Sequence, residues 1–284
     1  MTAALTCAAI LLAAVLSTAL IAQQQAPEFD VASIKPNVST ATAAFQLTPN
    51  GRFTATNTSL RALILRAYGL HDSQLIGAPD WIAAERFDVD ARVDPVPAGG
   101  PNALLPLVRT LLIERFRLKT HDEMRELPAY VLTFARDDRR LGSQIRPTQA
   151  DCSGKSQPTQ AEIRAQARDG WAPCGMSFMT TFVDSSDVAL KVRIRRSAVT
   201  MGQFATALQA NVDRPVVDRT GLEGVFDIEY SFAQQPAANA PGGQDNNQPL
   251  LLVALEEQLG LKLESRRTGV PVVVIDSVDR PTPD

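Results

Sequence analysis

The chain has 284 residues, of which 45% are hydrophobic and 21% are charged, and its formal net charge is -3 at pH 7. This composition is typical of a globular protein, and the small negative charge excludes a general electrostatic affinity for nucleic acid. The chain contains two histidines and three cysteines, so little metal or general-base chemistry is expected from these residue types.

The N-terminal segment is typical of an export signal. Residues Thr2 to Ala22 carry no charge, and small residues, Ala19 and Ala22, precede a run of glutamines. No Lys or Arg precedes the apolar run, so an uncleaved anchor is the alternative, since about 20 apolar residues can span a bilayer. We therefore predict a signal peptide over residues 1–22, and membrane association only if this segment is not cleaved.

The rest of the chain contains a duplication. Three blocks of sequence recur in the same order, with apolar residues, turn residues and some charges at matching positions. The matched blocks are Arg52–Ala67 with Arg193–Leu208, Phe87–Asp90 with Phe226–Glu229, and Leu112–Leu132 with Leu255–Ile275. We infer two copies of one structural unit.

Local patterns predict the elements of each unit. In the first unit, a strand near Glu28–Ile34 is followed by a hairpin around Pro49-Asn50-Gly51. A helix then begins after Thr58 or Ser59, which can cap it, and ends at Gly69, with apolar residues at helical spacing between them. The later elements are a strand over 86–93, a helix over 102–115, and strands beginning at Leu118 and Ala129. The second unit repeats this order from the helix capped by Thr200 to strands beginning at Leu261 and Val272.

These elements predict an α+β fold. It consists of two pseudo-repeated units of strand, helix, strand, helix, strand and strand, with mixed or antiparallel sheets. We place the first unit at residues 27–136 and the second at 191–284, joined by an irregular insertion over 137–190. Residues 234–248 are rich in Gln, Asn, Pro and Gly, a composition that predicts a flexible loop. The sequence leaves open whether the two units share one core.

Two cysteines, Cys152 and Cys174, lie in the insertion. An even pair in an exported chain predicts a disulfide, and closing a loop of this size would stabilise the fold by about 3 kcal/mol. The predicted fold is therefore two units joined by a disulfide-pinned insertion.

Two carboxylates, Asp88 and Asp227, occupy equivalent strand positions beside phenylalanines. Carboxylates related by pseudo-symmetry could face each other across a cleft and share a proton. The favoured interpretation is that each lies on the solvent face of its strand, because the D-[TS]-G signature of such pairs is absent. We keep both as candidate binding residues.

Lys191, Arg193 and Arg195 alternate along one strand, so their side chains share one face. They are a candidate docking strip for an anionic partner, and the favoured alternative is an edge strand kept soluble by its charges. Trp81 follows Pro79-Asp80 and could stack on a sugar or a peptide, or pack under its own turn.

Motifs with established chemistry are absent. The chain has no G-x-S-x-G, H-E-x-x-H, P-loop or G-x-G-x-x-G pattern. His121, Asp122 and Glu123 are adjacent, but neighbouring side chains of a strand point in different directions, which disfavours a shared metal. We assign no catalytic residue, no metal site and no cofactor.

Several stretches of the sequence resemble the signatures of domain of unknown function 3738, an uncharacterised family expanded in soil bacteria and expected to be exported. These are Phe29–Pro36, Gly51–Thr56, Gly77–Ile82, Arg86–Val89, Arg125–Pro128, Arg214–Leu222 and Gln258–Glu264. Some members resemble fusions with, or neighbours of, membrane-embedded sensor metallopeptidases. The resemblance implies a cell-envelope role, with a sensory function as one option, and supplies no catalytic residues.

The leading hypothesis is therefore an exported, periplasmic or extracellular binding module without catalysis of its own. The expected partner is a cell-wall fragment, a peptide or a membrane protein, bound in a cleft between the units. The alternatives are a periplasmic hydrolase that uses carboxylates in that cleft and a structural envelope protein.

Overall fold

The computed structural model describes residues 26–97, 101–149, 174–183, 190–233 and 248–281. The predicted signal peptide, Cys152 and residues 234–247 of the predicted loop lie outside these ranges. Within them the fold is α+β and consists of two repeated units with antiparallel and mixed sheets, which confirms the predicted fold class. Because Cys152 lies outside the described residues, its bond to Cys174 stays a prediction.

Both units contain the same succession of elements, except that α2 of the first unit has no counterpart in the described part of the second. The first has strands β1 (Val31–Asn37), β2 (Ala44–Leu47), β3 (Arg52–Ser59), β4 (Leu75–Ile76), β5 (Arg86–Arg92) and β6 (Lys119–Phe134), with helices α1 (Leu60–Tyr68), α2 (Trp81–Ala84) and α3 (Leu105–Phe116). The second has strands β7 (Ile145–Pro147), β8 (Ser177–Val183), β9 (Leu190–Val199), β10 (Val216–Asp218), β11 (Phe226–Ala233) and β12 (Leu261–Ser277), with helices α4 (Met201–Leu208) and α5 (Gln248–Ala254). A π-helical turn over Leu255–Leu259 continues α5.

Each unit has its own antiparallel sheet, and the two sheets have the same topology. Their strand orders are β1-β5-β3-β2 and β7-β11-β9-β8. The short strand β7 takes the place of β1, because Ile145-Arg146-Pro147 pairs with β11 as Ile34-Lys35-Pro36 pairs with β5. The duplication therefore includes β7 and β8, which lie in the region predicted to be an irregular insertion.

A third sheet, with the order β10-β6-β12-β4, joins the two units. Its long central strands β6 and β12 are antiparallel, and Glu126 pairs with Gly269, its equivalent in the repeat. The outer strands are exchanged between the units, since β4 runs parallel to β12 and β10 runs parallel to β6. The central sheet is therefore symmetric about the Glu126–Gly269 pair.

The long strands also exchange core residues. Val273 and Ile275 of β12 pack in the hydrophobic cluster of the first unit, whereas Tyr130 and Leu132 of β6 pack in that of the second. Burying an apolar side chain of this size contributes about 1.5–3 kcal/mol. There are thus two main cores, and each is completed by the other unit.

The helices that follow β3 and β9 begin as predicted. Ser59 Oγ accepts a hydrogen bond from the N–H of Ala62 at 3.2 Å, and Thr200 Oγ1 accepts one from that of Gln203 at the same distance. Gly69 ends α1 with a φ of 68°, in the left-handed region. Among the described residues, no helix combines the length and apolar character needed to cross a membrane.

One predicted detail is wrong. The two strands expected at the end of each unit are a single strand, β6 or β12, and Pro128 and Pro271 lie within it rather than between two strands. Pro271 and Met124 are paired across the two strands, so the ladder continues through the proline.

Candidate functional site

Asp88 and Asp227 have equivalent structural roles. Each lies opposite a β-bulge, where a residue other than glycine adopts a positive φ: 46° for Asn57 and 52° for Ala198. Asp88 Oδ1 accepts a hydrogen bond at 2.8 Å from the backbone N–H of Asn57, and Asp227 Oδ1 accepts one at 3.1 Å from that of Ala198. The carboxylates therefore satisfy the backbone at the bulge that leads into α1 or α4.

Each aspartate also accepts a hydrogen bond from a second side chain. The side-chain amide of Asn37 donates to Asp88 at 2.7 Å, and the hydroxyl of Thr148 donates to Asp227 at 2.7 Å. The two aspartates belong to different sheets, and each is bonded within its own unit. The structure thus does not bring Asp88 and Asp227 together as a carboxylate pair.

The basic residues Lys191, Arg193 and Arg195 lie on β9, which is an inner strand between β11 and β8. The expectation that they protect an edge strand is therefore wrong. Arg195 Nε lies 2.7 Å from Glu229 Oε2 and Arg193 Nε lies 3.3 Å from Glu229 Oε1. The Arg193 guanidinium also lies 4.4 Å from the centre of the Phe182 ring. These contacts hold the two arginines against the sheet.

The charge pairs repeat between the units as well. Arg52 forms an ion pair with Asp90 at 2.6 Å, and the equivalent Arg193 pairs with the equivalent Glu229. This shared ion pair thus joins neighbouring strands, β3 with β5 in the first unit and β9 with β11 in the second.

Trp81 is half-buried at the start of α2, next to the first hydrophobic cluster. The guanidinium of Arg280 lies 4.9 Å from its ring centre, and Arg280 is also 2.6 Å from Glu85. One face of the indole is therefore covered by a cation of the same chain, which supports packing rather than ligand stacking.

His121 lies between two carboxylates at the start of β6. Its Nδ1 is 2.8 Å from Asp276 Oδ1 and its Nε2 is 3.0 Å from Glu123 Oε1. Both nitrogens can donate only in the imidazolium form, and hydrogen bonds to Glu123 and Asp276 raise the pKa of His121. Arg125 donates to the other oxygen of Glu123 at 2.8 Å. In the described part of the chain, no three His, Cys, Asp or Glu side chains are arranged to hold a metal ion.

A groove of about 610 Å³ lies between the two units, and we call it the inter-unit groove. Residues of both units line it: Tyr68, Gly69, Leu70, Gln74, Arg109, Asp122, Glu123 and Met124 from the first, and Gly202, Ala205, Thr206, Gln209, Val216, Val217, Asp218, Pro271, Val272 and Val273 from the second. This arrangement agrees with the position expected for a ligand cleft.

The groove is bordered by three strands of the central sheet. It reaches Asp122 and Met124 of β6, Pro271 of β12, and Val216 of β10, whose partner on β6 is Tyr130. The residues of β6 between Met124 and Tyr130 do not line it.

Two glutamines connect the units at the groove. Gln209 donates at 3.2 Å to the carbonyl of Gly69 and accepts at 3.3 Å from the N–H of Val216. Gln74, which is 6% exposed, donates at 2.8 Å to the carbonyl of Pro271. Because both side chains bond backbone groups of the opposite unit, they fix the separation of the groove walls.

The charged groups of the groove are three carboxylates and one guanidinium. The carboxylate of Asp122 has no hydrogen bond or ion pair with any described residue, whereas that of Glu123 is bonded to His121 and Arg125. Arg109 donates through Nε to the carbonyl of Ala67 at 2.8 Å, and its guanidinium lies 4.9 Å from the centre of the Tyr68 ring. The groove thus combines the guanidinium of Arg109 with the carboxylates of Asp122 and Asp218, while Glu123 is paired with His121 and Arg125.

Sequence reasoning predicted a cleft between the units but assigned none of these residues to it. The reason is that the groove does not repeat: Gln74 is equivalent to Pro215, and Gln209 is equivalent to Tyr68. The sequence did contain one signal. The two copies stop matching after Ala67 and Leu208, at the ends of the equivalent helices α1 and α4.

The structure defines a duplicated α+β protein with a ligand-sized groove between its units. The chain belongs to the family described as Protein of unknown function (DUF3738), whose profile matches residues 61–278. This range extends from α1 to just beyond β12 and includes every residue that lines the groove. No curated protein and no solved structure has significant similarity to the chain.

Proposed function

We propose that this protein is an exported binding module of the cell envelope, without catalysis of its own, and that its ligand occupies the inter-unit groove. The observation that carries the proposal is the groove itself, a 610 Å³ space lined by both units. Concave sites between structural units are where proteins commonly bind ligands, with apolar walls and a few fixed polar groups.

The contacts of the groove support a preformed site. Gln74 and Gln209 hold its walls through hydrogen bonds between the units, and Arg109 is fixed against Tyr68. Apolar groove residues such as Val216 and Val272 provide surface that a ligand can cover. A preformed site loses less conformational entropy on binding than one that must assemble.

The two carboxylates considered for catalysis have contacts that stabilise the fold. Asp88 and Asp227 are engaged at the bulges of two separate sheets, and neither lines the groove. The envelope location rests on the uncharged, apolar segment 2–22, which is typical of an export signal. The resemblance to a family with members associated with sensor metallopeptidases implies a sensory function as one option.

A thermal-shift screen against cell-wall fragments, sugars, peptides and metal salts tests the proposal. A ligand that binds only the native state raises the unfolding temperature. The groove is blocked by Gly202→Trp, because a Cβ at Gly202 meets no heavy atom closer than 4.0 Å and the new side chain can extend into open space. We expect a stabilising ligand for the wild type that Gly202→Trp does not bind.

The matched control is Ile113→Trp, which places the same side chain at an exposed position of α3 outside the groove. This variant is expected to keep the shift. Equal shifts in the wild type and Gly202→Trp would place the ligand elsewhere, and a screen without any shift would count against a binding function.

A second function, structural assembly, is supported by β8. This strand ends its sheet in the described topology, and its side chains Met179 and Val183 are 72% and 62% exposed. Exposed apolar edge strands pair with other strands. Light scattering should then show oligomers that grow with concentration and are lost in Met179→Lys, whereas a monomer at all concentrations would exclude assembly through β8.

A further inference from the structure

We propose that the inner face of the second sheet binds an amphipathic acid, whose carboxylate meets Arg196 and Tyr230 and whose apolar tail lies along β8. The inner face is the one that packs against the hydrophobic cluster of the second unit. This site is separate from the inter-unit groove, because Arg196, Tyr230 and the residues of β8 do not line that groove.

The two copies of the unit differ at one corner of this face. Arg196 and Tyr230 are equivalent to Ala55 and Ala91, which are 2% and 1% exposed and pack in the core of the first unit. The strand pairing of the two sheets places these four residues at matching positions. The second unit therefore has a cation and a phenol where the same fold is satisfied by two small apolar side chains.

The polar groups at this corner are unsatisfied. Three buried side-chain atoms in the described part of the chain have no hydrogen-bond partner, and they are Arg196 Nε, Ser197 Oγ and Tyr230 Oη. Burial raises the pKa of Tyr230, and the charge of Arg196, which is near the hydroxyl but not in hydrogen-bond geometry, partly offsets this rise. Buried polar atoms without partners are rare in folded proteins, and here they are concentrated in one place.

These groups are suited to an anion. The guanidinium of Arg196 is permanently charged and can only donate hydrogen bonds, and the hydroxyl of Tyr230 can donate another. No carboxylate of the described residues forms an ion pair with Arg196. The Tyr230 ring is held in place by Phe204 and Phe232, whose ring centres lie 6.0 and 6.3 Å away. A carboxylate accepts strong hydrogen bonds from a guanidinium and a neighbouring hydroxyl.

Apolar side chains continue the same face along β8. Met179 and Val183 pair with Ile194 and Leu190 and share their face of the sheet, yet they are 72% and 62% exposed. In the first unit the residue equivalent to Met179 is Leu47, which packs against the core. The second unit thus leaves uncovered an apolar strip that the first unit buries.

The polar corner and the apolar strip are contiguous. Ser177 of β8 pairs with Arg196, and Met179 is the next residue on the same face. From Ser177 the strand continues six residues to Val183, about 20 Å at roughly 3.3 Å per residue. A second copy paired along the β8 edge would satisfy backbone groups in the plane of the sheet, but it would leave the Arg196 and Tyr230 donors unsatisfied. An acid with a linear apolar tail satisfies both parts of the face.

The test is isothermal titration calorimetry of the mature chain with three probes. Decanoate has the acidic head and the tail, decanol has the tail without the charge, and acetate has the head without the tail. We expect decanoate to bind at least about tenfold more tightly than either of the others.

Variants separate a binding role of the polar groups from a structural one. Tyr230→Phe removes a hydroxyl that has no partner in the free protein, so the unfolding temperature should stay the same or rise. The same variant should weaken decanoate binding about threefold or more, and Arg196→Met should weaken it about tenfold. Met179→Ser should also weaken it, because the tail then covers less apolar surface.

Two controls match these variants. Arg86→Met removes an exposed arginine from the first sheet, and Gly202→Trp fills the inter-unit groove. Both should bind decanoate like the wild type, since neither position lies on the inner face of the second sheet. Circular dichroism checks that each variant is folded.

Several outcomes would overturn the proposal. Absence of decanoate binding, equal affinity for decanol, or unchanged binding in Arg196→Met would exclude the acid site. A Tyr230→Phe protein that is less stable but binds decanoate normally would give the hydroxyl a structural role. Acetate binding as tight as that of decanoate would exclude the tail site. Oligomers in light scattering without decanoate binding would place a second copy on this face instead.

Discussion

Asp88 lies 2.8 Å from the backbone nitrogen of Asn57 and accepts its hydrogen bond at a bulge where φ is 46°. Asp227 accepts the equivalent hydrogen bond from Ala198. The two carboxylates therefore stabilise the bulge at which each unit turns from strand into helix.

Removing either carboxylate should destabilise the protein. Asp88→Ala and Asp227→Ala leave a backbone N–H at the bulge without its partner, which typically costs about 1–3 kcal/mol. The exposed ion pair of Asp90 provides a control, since Asp90→Ala should cost less than about 1 kcal/mol. Urea unfolding of the three variants measures the difference. A smaller effect at Asp88 than at Asp90 would contradict the role assigned to the bulge.

The bulge of the second unit also predicts a stabilising substitution. Ala198 has a φ of 52°, a conformation that costs an alanine about 1 kcal/mol and a glycine very little. Ala198→Gly should therefore raise the free energy of unfolding by about 0.5 kcal/mol after the added flexibility of the unfolded chain is included.

The same exchange within α1, Ala62→Gly, should lower that free energy by about 0.5–1 kcal/mol. Chemical denaturation of both variants provides the comparison, and a loss of stability in Ala198→Gly would refute the assigned backbone conformation.

The two units should not fold separately. A fragment of residues 27–136 lacks Val273 and Ile275, which pack in its core, and lacks the β12 partner of β4. We expect this fragment to show no cooperative unfolding by circular dichroism. Co-expression with residues 137–284 should restore the fold, whereas cooperative unfolding of the monomeric fragment alone would show that the exchange is dispensable.

The His121 cluster predicts a pH dependence of stability. Hydrogen bonds to Glu123 and Asp276 raise the pKa of His121 above its ordinary value near 6.5. The contribution of His121 is then fully present below about pH 6.5 and is lost as the pH rises through the higher pKa of the folded state. Asp276→Asn should lower the histidine pKa in an NMR titration.

The same variant should also reduce the loss of stability on raising the pH through this range. An unchanged His121 titration in Asp276→Asn would show that Asp276 does not hold the imidazolium in solution.

The predicted bond between Cys152 and Cys174 can be tested by mass. Exported protein should resist alkylation without reductant and should gain two labels, one on each cysteine, after reduction. Closing a loop of this length is expected to stabilise the protein by about 3 kcal/mol. Free thiols in exported, non-reduced material would exclude the bond.

The sequence predicted the repeated helices because their signals are local. Ser59 and Thr200 cap α1 and α4, and the apolar residues that follow recur at helical spacing. The strand β7 escaped prediction because a three-residue strand shows no periodicity. Its match to β1 was nevertheless present in the similarity of Ile145-Arg146-Pro147 to Ile34-Lys35-Pro36.

Strand pairing was not predictable in the same way. The strands β4 and β10 have two and three residues and show no periodicity, and their sequences do not specify whether the partner strand belongs to the same unit. The residues of the groove could not be predicted for a related reason. They come together only because β4 and β10 each pair with a strand of the other unit. Gln74 and Pro271 lie far apart in the sequence and meet through this exchange.

The exchange of β4 and β10 has a consequence for the origin of the chain. A half-length ancestor could complete its central sheet only with a second copy of itself, so the present fold has the architecture of a homodimer whose subunits have been fused. In such a dimer both halves of the binding site would be identical. Fusion allows each half to mutate independently, and the non-equivalent positions of Gln74 and Gln209 are the record of that divergence.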